Sequence, residues 1–297
     1  MKKYIILAAS FLFASTLTLV SATVTFPLYV ANGGDGTIEQ FTSGGIGSLF
    51  TSTGLPIVEG IAFDISGNLY VADWAGGTIR KFTPGGVGSI FANTGLNNPT
   101  GLAFDSVGNL YVSNFSSNSI SKFTPGGVGS VFANTGLNGP YGLAFDNTGN
   151  LYAANHNGNT ITKFAPGGFG NGFGFGGLLS GPNGLAFDSA GNLYAASQFN
   201  NTIVKFTPGG VSSVFASTGL NNPEGLAFDS ADNLYVANQT GSTIQMFTPG
   251  GVGSVFADAS DGLNTPTFIA FQTPEPATLG MIGLGALLLA TRRRRNT

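Results

Sequence analysis

A five-fold repetition governs what this chain can fold into. Gly-Leu-Ala-Phe-Asp, a turn, Asn-Leu-Tyr-Val-Ala-Asn, Thr-Ile-x-Lys-Phe-Thr-Pro-Gly-Gly and Ser-Val-Phe return in that order with small variations, opening at Gly60, Gly101, Gly142, Gly184 and Gly225. The spacings are 41, 41, 42 and 41 residues, the length of a four-stranded propeller blade. One unit of that size cannot bury its own apolar faces, so the units must stack around a shared core. Because the repeat fills most of the 297 residues, a single closed all-β domain is expected rather than two domains.

Each repeat assigns its own strands. Gly-Leu-Ala-Phe is the first. Asp-x-x-Gly-Asn then makes a tight hairpin, the Asp closing it through local hydrogen bonds and the Gly supplying positive φ. Asn-Leu-Tyr-Val-Ala, apolar on both faces, suits a second strand sandwiched between neighbouring sheets. Thr-Ile-x-Lys-Phe is the third, ended by Thr-Pro-Gly-Gly where proline no longer interrupts the ladder. Ser-Val-Phe is the outer fourth. Three recurring slots, seen in one repeat as Phe104, Phe123 and Phe132, hold seventeen of the 26 phenylalanines, which makes these rings packing elements rather than a stacking platform for bases or sugars. The repeated acids Asp64, Asp105, Asp146, Asp188 and Asp229 resemble calcium ligands, but their fixed Asp-x-x-Gly-Asn setting favours a turn role.

The fragments flanking the five repeats decide the blade count. Leu28 to Asn32, Thr37 to Phe41 and Ser48 to Phe50 supply second, third and fourth strands without a first; Thr265 to Phe271 supplies a first strand alone. Together they make one composite blade, giving a six-bladed propeller closed by its N- and C-terminal strands, with no open edge at the seam.

Charge narrows the partners. Between residues 23 and 273 there are five Lys or Arg against thirteen Asp or Glu, a balance of −8. Such an acidic domain repels a nucleic acid or an anionic membrane surface. Cysteine is absent, which removes disulfides and thiolate metal sites.

The basic residues gather at the two ends instead. Lys2 and Lys3, an apolar run from Tyr4 to Val20, and Val20-Ser21-Ala22 read as a secretory signal over 1–22, cleaved by signal peptidase after Ala22; an uncleaved anchor helix is the alternative. At the other end, Pro274-Glu275-Pro276 precedes an apolar stretch from Leu279 to Ala290 and the cluster Arg292, Arg293, Arg294 and Arg295. In this order the segment 274–297 resembles the PEP-CTERM sorting signal of Gram-negative bacteria. The plainer reading of the arginines is a solvated tail or a nucleic-acid patch, and nothing basic accompanies them to support it. As a helix, Ala277 to Thr291 spans roughly 20 Å against a hydrocarbon core of ~30 Å, which suits transient inner-membrane retention with the arginines on the cytoplasmic side. The resemblance implies cleavage by an exosortase near Pro274 to Pro276 and transfer to the cell surface or extracellular matrix.

Residues 28 to 271 resemble the NHL-repeat propellers, with their Gly-Asn-Leu-Tyr-Val-Ala-Asp centre and Ile-x-Lys-Phe strand. Two departures stand out. The centre ends in Asn or Ser except at Asp73, and Phe169 to Leu179 replaces the Ser-Val-Phe strand of the third repeat, where an irregular outer strand is expected.

Binding is expected where otherwise copied units disagree. One variable slot precedes the opening glycine and holds Glu59, Thr100, Tyr141, Asn183, Glu224 and Thr267; the other follows the second strand and holds Gly33, Trp74, Phe115, His156, Gln198 and Gln239. Both fall in loops on one face, the first around the mouth of the central channel. Trp74, Phe115 and His156 come from consecutive blades and form an aromatic ledge suited to sugar rings or peptide side chains, or to shielding strand ends. His156 alone makes neither a metal site nor a triad, and no nucleophile elbow is present. Glu59, Asn183 and Glu224 also resemble the placement of metal ligands in the gluconolactonase propellers, which implies calcium or magnesium and lactone hydrolysis. Two departures weaken that likeness: Glu224 stands for a shorter Asp, and Glu59 is not followed by Pro. The sequence reading is thus an exported binding or matrix module, for polysaccharide or protein, contacting its ligand through Glu59, Trp74, Phe115, Tyr141, His156, Asn183 and Glu224, without a cofactor. The metal-dependent hydrolase is the alternative.

Overall fold

Six four-stranded antiparallel sheets account for the architecture of the computed structural model, which describes residues 27–174 and 177–272. Its 24 strands run from β1 (Leu28–Asn32) to β24 (Pro266–Phe271), and the only helical pieces among the described residues are 3-10 turns at Gln198–Asn200 and Ala259–Asp261. Blades one to five open with inner strands β4 (Val58–Phe63), β8 (Pro99–Phe104), β12 (Pro140–Phe145), β16 (Pro182–Phe187) and β20 (Pro223–Phe228). The signal segment and the sorting tail lie outside the described residues. Among the described residues, no helix is long and apolar enough to cross a membrane.

The sixth blade is composite, as expected. β24 pairs with β1, with Tyr29 opposite Ala270 and Val30 opposite Ile269, so chain segments more than 230 residues apart share one ladder. β24 also packs against both β20 and β4, which completes the ring.

The second strand of every blade is buried along its whole length, because each sheet is covered on both faces by its neighbours. Its tyrosine is the contact between blades. Tyr111 meets Phe132 at 4.9 Å and Phe145 of the next blade at 5.0 Å, both edge-on. Such geometry contributes roughly 0.5–1.5 kcal/mol per pair beyond area burial. Blade three differs from the expectation. Instead of an irregular outer strand, Gly170–Phe173 pairs with its neighbour without a register shift, and Phe173 meets Tyr152 at 5.0 Å. An eighteenth phenylalanine thus fills the recurring slot, which its glycine-rich surroundings disguised in the sequence.

On the face opposite the channel mouth, the repeated acids close their turns. Asp105 Oδ1 accepts from the N–H groups of Val107 and Asn109 at 3.1 and 2.8 Å, and its Oδ2 accepts from Asn109 Nδ2 at 2.7 Å. In four repeats a lysine joins the cluster: Lys81, Lys122, Lys163 and Lys205 lie 3.5–3.7 Å from the turn acid and 5.1–5.2 Å from the tyrosine ring centre. All four lysines of the propeller are therefore committed to this face. In the fifth repeat the position is Met246, and Tyr235, desolvated and beside Asp229, is pushed up to about 12.

Candidate functional site at the channel mouth

A bulge in every inner strand creates the site. Pro140 pairs with Asn155 and Leu143 with Ala153, so Tyr141 and Gly142 together face the single residue Ala154; the same shift recurs in the other five blades. An extra residue turns the strand and redirects a side chain, which sends the first variable slot toward the axis. The opening glycine is needed at that bend because the inner strands converge. A Cβ on Gly142 would run into the backbone of Asn183 in the next blade.

The sixth blade breaks this rule, carrying Phe268 where the others carry glycine. Phe268 is buried and stacks on Tyr141 of the opposite blade, ring centres 5.9 Å apart and 15° from parallel. The axis is thus filled by an aromatic pair. Sequence reasoning missed Phe268, although the one non-glycine in an otherwise invariant column was the available signal.

The second slot is pinned by the backbone. The N–H groups of Trp74, Phe115, His156 and Gln198 donate to the carbonyls of Ile57, Asn98, Gly139 and Gly181, each in the loop leading into its own inner strand. The residue before them adds a side-chain tie. Asn155 Oδ1 accepts from the Asn138 N–H at 3.1 Å, and Asn114 and Asn238 repeat this contact. Asparagine therefore serves where the NHL pattern has an acid.

These devices bring Glu59, Trp74, Phe115, Tyr141, His156, Asn183 and Gln198 around one cup of about 250 Å³. Phe115, Tyr141 and His156 form a contiguous cluster with centre distances of 5.7–6.2 Å, and Phe199 adds an edge against His156 at 5.2 Å. Glu224 sits behind this wall, 2% exposed, and Gln198 donates to its Oε1 at 3.1 Å. Thr100 and Thr267 stay out of the cup: each is buried and donates to a carbonyl of the next blade, Pro140 and Val58 respectively. Gln239 and Gly33 line a separate hollow that shares only Glu59.

Burial dominates the electrostatics. Desolvation pushes Glu59 up to about 7, partly offset by the Tyr141 hydroxyl, which donates to Oε2 at 2.8 Å. Glu224 is driven well above the usual carboxylate range, first by desolvation and then by the charge on Glu59. Tyr141, raised by burial and both carboxylates, remains a protonated donor. Burial lowers His156, so its ring is neutral at pH 7 and donates through Nδ1 to Asn183 Oδ1 at 2.6 Å. No serine or threonine hydroxyl engages His156 among the described residues, so the triad arrangement does not form there. Two buried atoms at the site lack partners, Glu224 Oε2 and Asn183 Nδ2.

A hard dication fits this donor set poorly. Calcium takes about six to eight oxygens, whereas Glu59 offers the cup one free oxygen and Glu224, behind the wall, has one more. Asn183 turns its carbonyl oxygen to His156, and the remaining walls are rings. Larger clefts of about 680 and 440 Å³ open on the opposite face between blades, but their polar groups are spent: Asp146 is held by Thr148, Asn150 and Lys163.

Comparison with known proteins bears on the tail and on the fold. The PEP-CTERM protein-sorting motif matches residues 272–295. No curated protein matches the chain. Among solved structures, a chain of the nidogen/laminin complex superposes with a TM-score of 0.74 at 21% identity, covering 84% of this chain and 98% of its own. An inactive H270A virginiamycin B lyase from Staphylococcus aureus gives 0.63 at 16%, covering 80% and 86%. A gluconolactonase from Xanthomonas campestris gives 0.61 at 18%, covering 81% and 86%. At these identities the likeness is one of fold, shared by binding proteins and enzymes alike. The chain is a six-bladed β-propeller with a PEP-CTERM protein-sorting motif, the mark of an exported protein sorted by an exosortase.

Proposed function

We propose that this protein is displayed at the cell surface or in the extracellular matrix as a non-catalytic binding module, taking a polysaccharide or protein ligand at the channel mouth. The supporting observation is the cup itself: side chains from several blades converge there, with aromatic walls and a buried amide nitrogen, Asn183 Nδ2, that has no partner among the described residues. Packing alone does not account for leaving such an atom unpaired. In this reading signal peptidase removes 1–22, an exosortase cuts within Pro274 to Pro276, and the 23–273 propeller is released after brief inner-membrane retention. A glycan array comparing the mature protein with Trp74→Ala tests the reading: loss of specific binding in the variant is expected, and identical profiles refute a role for the aromatic wall.

A second reading is a gluconolactonase-like hydrolase with calcium or magnesium on Glu59, Asn183 and Glu224. In its favour, these three residues meet at one mouth and Glu224 Oε2 is unpartnered. Ion-specific thermal stabilisation of the mature protein supports it. A flat response across calcium, magnesium, manganese and zinc removes it.

A further inference from the structure

Among the described residues, the mouth carries buried acids with no cation beside them. All four propeller lysines are tied to the turn acids of the opposite face, and Arg80 lies within a third strand, stacked over Phe82 at 5.7 Å. His156 is neutral. What faces Glu59 and Glu224 is therefore a hydroxyl from Tyr141, an amide from Gln198, and the aromatic rings.

Resting on the binding reading above, we propose that the cup receives a protonated primary amine carried on a saccharide ring, that is, an amino-sugar residue. Three features point there. Glu59 lines the cup with one oxygen unengaged among the described residues, and in the same lining Asn183 Nδ2 is buried without a partner, so an ammonium finds a charged acceptor and a ring hydroxyl finds a donor. Trp74 and Phe115 share that lining, and ring faces attract an organic cation while offering nothing to a hydrated dication. The electrostatics agree with the geometry: burial raises Glu224 further than Glu59, so the proton stays on Glu224 and the charge that a monovalent cation meets develops on Glu59. The saccharide is favoured over a lysine side chain because four aromatic residues, Trp74, Phe115, Tyr141 and His156, line a cup of about 250 Å³, which gives a sugar face an aromatic wall.

The test uses Trp74, the single tryptophan of the chain and a wall of the cup, as an internal fluorescence reporter in the mature protein. Four probes are titrated: methyl glucosaminide, its N-acetylated form, Nα-acetyl-lysine amide, and calcium or magnesium chloride. Methyl glucosaminide is expected to shift Trp74 emission saturably, with affinity rising toward about pH 7 and falling again once the amine loses its proton, because binding needs an ionised carboxylate and an ammonium together. The N-acetylated sugar, which has no charge, is expected to bind at least roughly tenfold more weakly, and Glu59→Gln to weaken the glucosaminide by a similar factor while unfolding at a temperature no lower than the unmodified protein. Equal response to both sugars overturns the proposal, as does preference for the lysine amide. A response only to the dications overturns it in favour of the hydrolase. Silence toward all four probes, together with Trp74-dependent binding of another glycan on the array, refutes the amine while leaving the binding reading intact.

Discussion

Glu59→Gln is the most direct test of the electrostatic account of the channel mouth. The substitution keeps an oxygen to accept the Tyr141 hydroxyl and removes only the charge. In the folded protein Glu59 titrates near 7 against an ordinary value of 4.5, so between those values the folded state holds a proton that the unfolded chain has released. Stability therefore falls as pH rises across that window and levels off above it. The loss is about 3 kcal/mol, a large part of a typical folding free energy. Glu59→Gln should match the unmodified protein at pH 4 and exceed it by about 3 kcal/mol at pH 8, or roughly 6–12 °C in melting temperature for a domain of this size. Urea unfolding at half-unit pH steps provides the comparison, with the difference between the two curves as the readout. A residual slope in the variant is expected from Glu224, whose desolvation persists. Parallel curves from pH 4 to 8 would falsify the claim that burial of Glu59 is an unrelieved cost.

Three further outcomes follow from the packing. Phe268→Ala empties the axis and removes the stack on Tyr141, which should cost about 3–5 kcal/mol in urea unfolding; a change below about 1 kcal/mol would mean the ring is not structural. Met246→Lys should recreate in blade five the lysine, tyrosine and acid cluster of the other four repeats, bringing Tyr235 down from about 12 in an ultraviolet titration and changing stability by less than about 1 kcal/mol. Gly142→Ala places a methyl group against the Asn183 backbone and should destabilise by about 1–3 kcal/mol. Gly149→Ala is its control: that glycine has φ +83° and open space around it, so only its backbone conformation is strained, at about 1 kcal/mol.

Much of the architecture was legible because blade packing is local and repeated. Apolar second strands, a proline confined to strand ends and an acid at each turn carry the same physics in every copy, and the composite blade follows from which strands the two flanking fragments lack. The third outer strand was misread because Gly170, Asn171 and Gly172 hide a slot defined by one ring, Phe173. The mouth was legible in part: residues that vary between copies were placed on one face, and Glu59, Trp74, Phe115, Tyr141, His156 and Asn183 do line one cup. Thr100 and Thr267 belong to the same column yet serve as ties between blades, since a short hydroxyl side chain finds a neighbouring carbonyl before it reaches the axis.

A period of about 41 residues, two complementary fragments and a sorting motif are linear properties, and they determined the blade, the ring and the destination of this protein. Which carboxylate meets which partner is not linear. Glu59 and Tyr141 lie 82 residues apart, and their hydrogen bond exists only because the ring has closed. Desolvation of Glu224, the plug of Phe268 and the unpaired amide nitrogen of the cup depend likewise on six inner strands converging on one axis, so only the tertiary structure decided the chemistry of the mouth.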